Sequence, residues 1–311
     1  MRKFTFQKIL TGLEINETAV NVVQIEKDSS RWRLIQSRTV PFPEDTLKLS
    51  YKKNNILDPN QFRETIKEAL QDAEGKVSSI GLSLPNDIVK VSIRKYDGLP
   101  DSDLETERMI SWSTEKSLHF PEKSTKIAYE LIEENDEKEK WILVAICIKD
   151  VIKEYELNLK DLKLIPKVIR PSGINQFNFF SSDLPSTGIN AFLGLYENYF
   201  TFLVFEDSKL KFFHGFKKGF SDLYFFKDID MTIQHFMNAH PDKEVENLYI
   251  GTQVAFHKEI EDVFRNLSDI NIVVMDESRH IKAEPKTENK NEREKISYFL
   301  SAIGAAQSLV L

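Results

Sequence analysis

The chain has 311 residues, enough for two separate cores, since one hydrophobic core stops growing at about 250–300 residues. With 41% hydrophobic and 29% charged residues it has a globular composition, and no run of about 20 apolar residues marks a membrane span. The net charge of -7 argues against a general nucleic-acid partner, because phosphate backbones need a concentrated basic surface. Residues 4–10 are too interrupted for a secretory leader, so the expected compartment is the cytoplasm.

In chain order, GLEINETAVNVVQIE (12–26) reads as an opening hairpin. Residues 20–25 form its second strand, with Val20, Val23 and Ile25 apolar, and KDSS (27–30) turns into a partner strand over 31–40. Asp58-Pro59-Asn60 starts a helix predicted over 59–74, with Phe62, Ile66, Ala69 and Leu70 at helical spacing and Gly75 closing it. A buried strand follows over 77–84, broken by Pro85.

The next block reads as an insertion. It opens with a strand over 88–93 and a turn at Asp97-Gly98-Leu99-Pro100. A capping box, Ser102 to Glu105, then starts a helix that Phe120-Pro121 stops. Strands over 125–132 and 141–148 flank the charged stretch 133–140, which is expected to be a solvated hairpin tip. Cys147, the one cysteine, lies in an apolar strand and is expected to be a plain core residue. A helix over 150–162 ends near Leu164-Ile165-Pro166.

The second lobe is expected to start near Pro171, with strands over 188–195, 199–205 and 209–216. A helix over 220–239 carries Leu223, Phe226, Ile229, Ile233, Phe236 and Met237 on one face. A strand over 248–251, a helix over 259–266 and a strand over 270–275 follow, then a polar linker over 283–295. The final apolar helix, 296–311, has two readings. It docks on the first lobe, with Ala302, Gly304, Ala305 and Ala306 letting backbones approach, or it begins a membrane span. It is short of about 20 residues and is interrupted by serines, so docking is expected. Lys209, Lys211, Lys217 and Lys218 read as a solvated face, and Arg2, Lys3 and Lys8 give only weak attraction to anionic lipid. The six histidines have no metal-ligand spacing, and there is neither a nucleophile elbow nor a Walker loop.

Several segments carry a family resemblance in consistent order: GLEINETAVNVVQIE, VPFP (40–43), ILDP (56–59), IGLSLP (80–85), ISWSTEKSLHFP (110–121), LIPKVI (164–169) and the small-residue helix at 302–306. Together they resemble the PilM-type proteins of type IV pilus assembly. The resemblance implies an α/β, bilobed actin-like (ribonuclease H-like, duplicated) fold with an inserted α/β subdomain in the first lobe. The expected divisions are a first lobe over 1–170 with the insertion at about 86–165, a second lobe over 171–290, and a C-terminal helix over 291–311 returning to the first lobe.

That fold holds ATP with Mg between two phosphate loops. Here the family's first-loop acid falls on Glu14, its glycine on Asn16, its small run on Glu17-Thr18-Ala19 and its lysine on Asn21. The second loop falls on Gly194-Leu195-Tyr196-Glu197-Asn198 and the adenosine turn on Gly251-Thr252-Gln253. A metal ligand, a cation and backbone approach points are lost, so no catalytic residue, cofactor or metal is expected, with ATP binding as the minority alternative. Gly12, Gly194 and Gly251 are then expected to serve turn geometry alone.

The resemblance therefore implies a non-enzymatic platform at the inner face of the inner membrane. It would bind the cytoplasmic N-terminal tail of a PilN-like single-span protein in a groove between the first lobe and the insertion. The expected groove residues are Ile80, Leu82, Leu84, Met109 and Trp112, with ordinary core packing as the competing reading. A second reading is the cytoplasmic domain of a GspL-like type II secretion protein, which continues into a membrane helix and docks a secretion ATPase. An ATPase or kinase of the same fold, and an α/β protein with no pilus link, complete the alternatives.

Overall fold

The structure, a computed structural model, describes residues 8–28, 31–118, 124–196, 198–217, 224–240, 244–252, 270–283 and 296–310. Strands β1 (Leu10–Ile15), β2 (Ala19–Asp28) and β3 (Arg31–Pro41) form an antiparallel meander. Both faces of β1 and β2 are covered, which is why Val20 and Val22 enter one core and Val23 and Ile25 another. Helix α1 (Pro59–Ala69) starts where the Asp58 carboxylate accepts from the Asn60 and Gln61 N–H groups, with Pro59 in the first turn where no N–H is needed. It ends earlier than predicted. Gln24 of β2 holds Glu74 by both its N–H and its C=O, and this fixes the exit turn.

The chain then runs into β4 (Ser79–Leu84), parallel to β1. Asn86–Ile88 forms a 3-10 turn that takes in Ile88, so β5 (Lys90–Tyr96) starts two residues later than predicted. Strand β5 joins β6 (Thr125–Glu134) and β7 (Lys140–Ile148) in a separate sheet ordered β5-β7-β6. Helix α2 (Asp103–Leu118) covers one face of this sheet, with Ile110 among Ile142, Val144 and Ile146. Helix α3 (Lys149–Asp161) does not belong to this unit. Its Val151, Ile152, Tyr155 and Leu159 pack in the first lobe's core beside Phe62 and Ile66, so the separate sheet closes at Ile148 rather than near residue 165.

Strand β8 (Ile165–Pro171) extends the first sheet beside β4. It holds Pro166 and Pro171, which an edge strand tolerates. Helix α4 (Ser172–Phe180) follows. The second sheet repeats the plan of the first. Strands β9 (Ile189–Leu195), β10 (Phe200–Glu206) and β11 (Lys209–Phe216) form a meander, α5 (Phe225–Ala239) crosses over, and β12 (Asn247–Thr252) and β13 (Asn271–Val274) run parallel to β9. Strand β14 (Ile281–Ala283) pairs with β3, so the chain rejoins the first sheet at Ile281, ahead of residue 291. The helix predicted over 259–266 lies outside the described residues, as do the linker residues 284–295 and the hairpin residues Ser29 and Ser30.

The last helix, α6 (Leu300–Gln307), lies with α4 between the two sheets, in one core containing Val23, Phe180 and Phe192. Gly12 and Gly81 are neighbours across β1 and β4, and a Cβ on either would collide with the carbonyl of Ala302 or Ala305. On the opposite side, a Cβ on Gly304 would collide with the Asn175 carbonyl of α4. The small residues therefore dock the helix, as expected. Among the described residues no helix is long and apolar enough to cross a membrane.

Candidate functional site

The β1–β2 turn closes on itself. The Asn16 side-chain carbonyl accepts from the N–H of Thr18 (2.9 Å), the N–H of Ala19 (2.7 Å) and the Thr18 hydroxyl (3.2 Å). Amides in such a turn are the donors a phosphate loop presents to its anion, and here a side chain takes them. Glu17 reaches across to the second lobe. Its carboxylate accepts from Asn198 Nδ2 (3.2 Å) and lies 3.4 Å from Lys217 Nζ. Asn198 sits in the β9–β10 turn, so a carboxylate occupies the space between the two loops. Lys217 also lies 3.7 Å from Asp87. Burial nevertheless pushes the Asp87 carboxyl up, against Lys217, and the nearby Glu17 adds to the rise.

Deeper in, Glu14 is buried and accepts from Asn21 Nδ2 (3.0 Å), while Asn21 Oδ1 accepts from the Thr39 hydroxyl (2.7 Å). Asn21 thus binds Glu14 directly, at the position where the resemblance implied a lysine. Tyr196 is also buried; burial first and the Glu14 carboxylate second hold its phenol well above its ordinary range. Ser83, Ser172 and Ser301 link β4, α4 and α6 through their hydroxyls. Glu197 and Gln253 lie outside the described residues. Among the described residues no group of three or more His, Cys, Asp or Glu could hold a metal ion.

The glycines need a correction. Gly12, Gly194 and Gly251 lie inside strands, none with positive φ, so turn geometry is not their role. Gly194 makes room for the side chains of Gln176 and Thr201, and Gly251 for the rings of Phe180 and Phe192. Close approach is what each position needs.

The expected groove residues are not one site. Ile80, Leu82 and Leu84 have no exposure and belong to the core beneath α1 and α3. Met109 is half-buried and Trp112 exposed, both on α2. A cavity of about 580 Å³ opens elsewhere, between β6, α4 and the β10–β11 hairpin. Its walls include Leu131, Phe177, Phe205 and Leu210, together with Arg170. Phe177 stacks on Phe205 with centroids 4.8 Å apart. His280, which also lines the cavity, meets Asp183 at 2.7 Å. No signal in the sequence marks this cavity, because its walls come from elements far apart in the chain.

The charged stretch forms a hairpin tip as expected, exposed at Asp136, Glu137 and Lys138, but its first residue and the lysine face need correction. Glu133 of β6 pairs with Lys209 (3.0 Å) and Lys211 of β11, so the hairpin and the second lobe are tied rather than separately solvated. Both lysines hold the Glu133 carboxyl below its ordinary range, Lys211 most. Cys147 is half-buried, and burial pushes its thiol up to about 11, so it is no nucleophile.

Two sheets of matching topology, with a helix from each half packed between them and a third sheet inserted in the first half, define the bilobed actin-like fold. The solved PilM–PilN type IV pilus biogenesis complex contains a chain of this form. It matches with a TM-score of 0.80 at 15% identity, over 97% of this chain and 98% of that one. A protein of actin-like ATPase fold and unknown function from Bacteroides thetaiotaomicron matches at 0.51 and 6% identity, over 96% and 99%. The cytoplasmic domain of EpsL, an inner-membrane component of the Vibrio cholerae type II secretion system, matches at 0.48 and 9% identity, over 96% and 95%. The fold is therefore PilM-like. No protein-family model and no curated protein matches the sequence.

Proposed function

We propose that this chain is a non-enzymatic cytoplasmic assembly platform of a type IV pilus or related secretion system, and that it holds the cytoplasmic tail of a PilN-like inner-membrane protein. One observation carries the reading: the cleft between the loops is filled by the chain's own groups, while a cavity of mixed apolar and polar lining beside the insertion stays open. Asn16 takes the loop amides, Glu17 takes the interloop space, and Tyr196 fills the interior. A phosphate would meet the Glu17 carboxylate there, which opposes anion binding. The PilM-like fold supports the partner class.

Calorimetry tests it. Purified protein titrated with the tail peptide is expected to give saturable heat, and titrated with Mg-ATP none. Saturable Mg-ATP binding without peptide binding would overturn the proposal.

A further inference from the structure

Arg170 lines the cavity and brings a charge to it. Among the described residues its guanidinium makes no ion pair and no hydrogen bond, and Nη1 is closed to solvent without an acceptor. The residue as a whole is half-buried, but a guanidinium N–H closed to solvent ordinarily has an acceptor. Among the described residues, Glu133 is engaged with Lys209 and Lys211 and Asp183 with His280, while Glu130 lines the same cavity without an ion pair to Arg170. The backbone of Arg170 is fixed, paired with Ser83 in the sheet. The guanidinium is therefore tethered beside walls that include Leu131, Phe177 and Leu210.

The cavity also meets β6 at its edge. Three consecutive residues, Glu130, Leu131 and Ile132, line it where a register shift between Leu131 and Glu133 interrupts the alternation of the strand. Strand β6 is the last strand of its sheet, so its outer backbone edge suits an extended segment.

We infer that Arg170 is the specificity-determining residue of this groove, and that its occupant is an extended apolar segment bringing an Asp or Glu carboxylate to the guanidinium. The identity of that segment as the membrane partner's tail rests on the proposed function; the carboxylate requirement does not.

The probes are amidated octapeptides of Leu, Val, Phe and Ser with one Glu, each with a Gln match, read by fluorescence anisotropy. The wild-type protein should bind the best Glu peptides about tenfold or more tightly than their matches. Arg170→Met should abolish the preference while apolar binding persists, and Arg170→Lys should restore part of it. Because the native cation has no internal partner, Arg170→Met should leave the melting temperature unchanged or higher. Equal binding of Glu and Gln peptides, no binding by either set, a preference that survives Arg170→Met, or a clear fall in melting temperature would each overturn the inference. If Glu peptides bind as expected but the tail peptide does not, the tail assignment alone fails.

Discussion

Lys217 of the second lobe lies 3.4 Å from the Glu17 carboxylate of the first, and its ammonium is shared with Asp87 at 3.7 Å. The lobes are thus joined at the mouth of the cleft by charges of the chain itself. Lys217 is about half exposed, so water and salt weaken the link, and exposed pairs of this kind contribute less than about 1 kcal/mol.

Asp87 shows which effect wins there. Its burial outweighs the attraction of Lys217, so its folded pKa lies above the ordinary 3.8. The folded state then binds the proton more tightly than the unfolded one, and the penalty on the charged form is full only above the raised value. Asp87→Asn is expected to increase stability to urea at pH 7. The advantage should shrink as pH falls toward 3.8 and vanish below it. A variant less stable than the wild type at pH 7 would show that the ion pair dominates instead.

Glu133 is the opposite case. Hydrogen bonds from Lys211 and Lys209 hold its pKa below the ordinary 4.5, so its ionised form favours folding. Glu133→Gln is expected to cost about 1 kcal/mol at pH 7 in urea denaturation, a discounted figure because Lys209 is half exposed. The contribution is present above 4.5 and lost as pH falls through the depressed value, so the two unfolding curves should converge in acid.

The docking of α6 is the most demanding contact. Gly12→Ala or Gly81→Ala would drive a methyl group into helix backbone that cannot swing aside. Each is expected to cost about 2 kcal/mol or more and to raise hydrogen exchange across Leu300–Gln307. Gly75 provides the contrast. It has open space but φ of +70°, so Gly75→Ala should cost about 1 kcal/mol through the backbone alone and leave α6 protected.

How much of this was legible follows from where the information lies. Strands β9, β10 and β11 matched expectation to within one residue, because their apolar runs are punctuated by local turn residues. The start of α1 was written in Asp58 and Pro59. Helix α4 was not anticipated: it is buried between sheets, so Gly173, Asn175, Gln176 and Phe180 are all covered and no single apolar stripe emerges. Strand β8 was hidden by its prolines, and β14 is only three residues long. At the site, the unusual loop residues Asn16 and Glu17 were visible, but what they bind was not. Glu133 and Lys211 stand 78 residues apart, and nothing local in LIPKVIRP marks Arg170 as unpaired.

Asn16 offers the last test, because it separates a closed loop from an empty one. Its carbonyl holds the Thr18 and Ala19 amides, and removing it leaves those donors to water. Asn16→Ala is expected to cost about 1 kcal/mol, in line with other side-chain caps, and to speed exchange of the two amides. It should not create Mg-ATP binding, since Glu17 still stands between the loops and Tyr196 still fills the interior. Calorimetry on the single variant and on Asn16→Gly with Glu17→Ser distinguishes the contributions. If the single variant binds Mg-ATP saturably, Asn16 alone closes the site, and the cleft is a nucleotide pocket held shut by one side chain. If only the double variant binds, the Glu17 carboxylate is the principal barrier, as its position between Asn198 and Lys217 indicates.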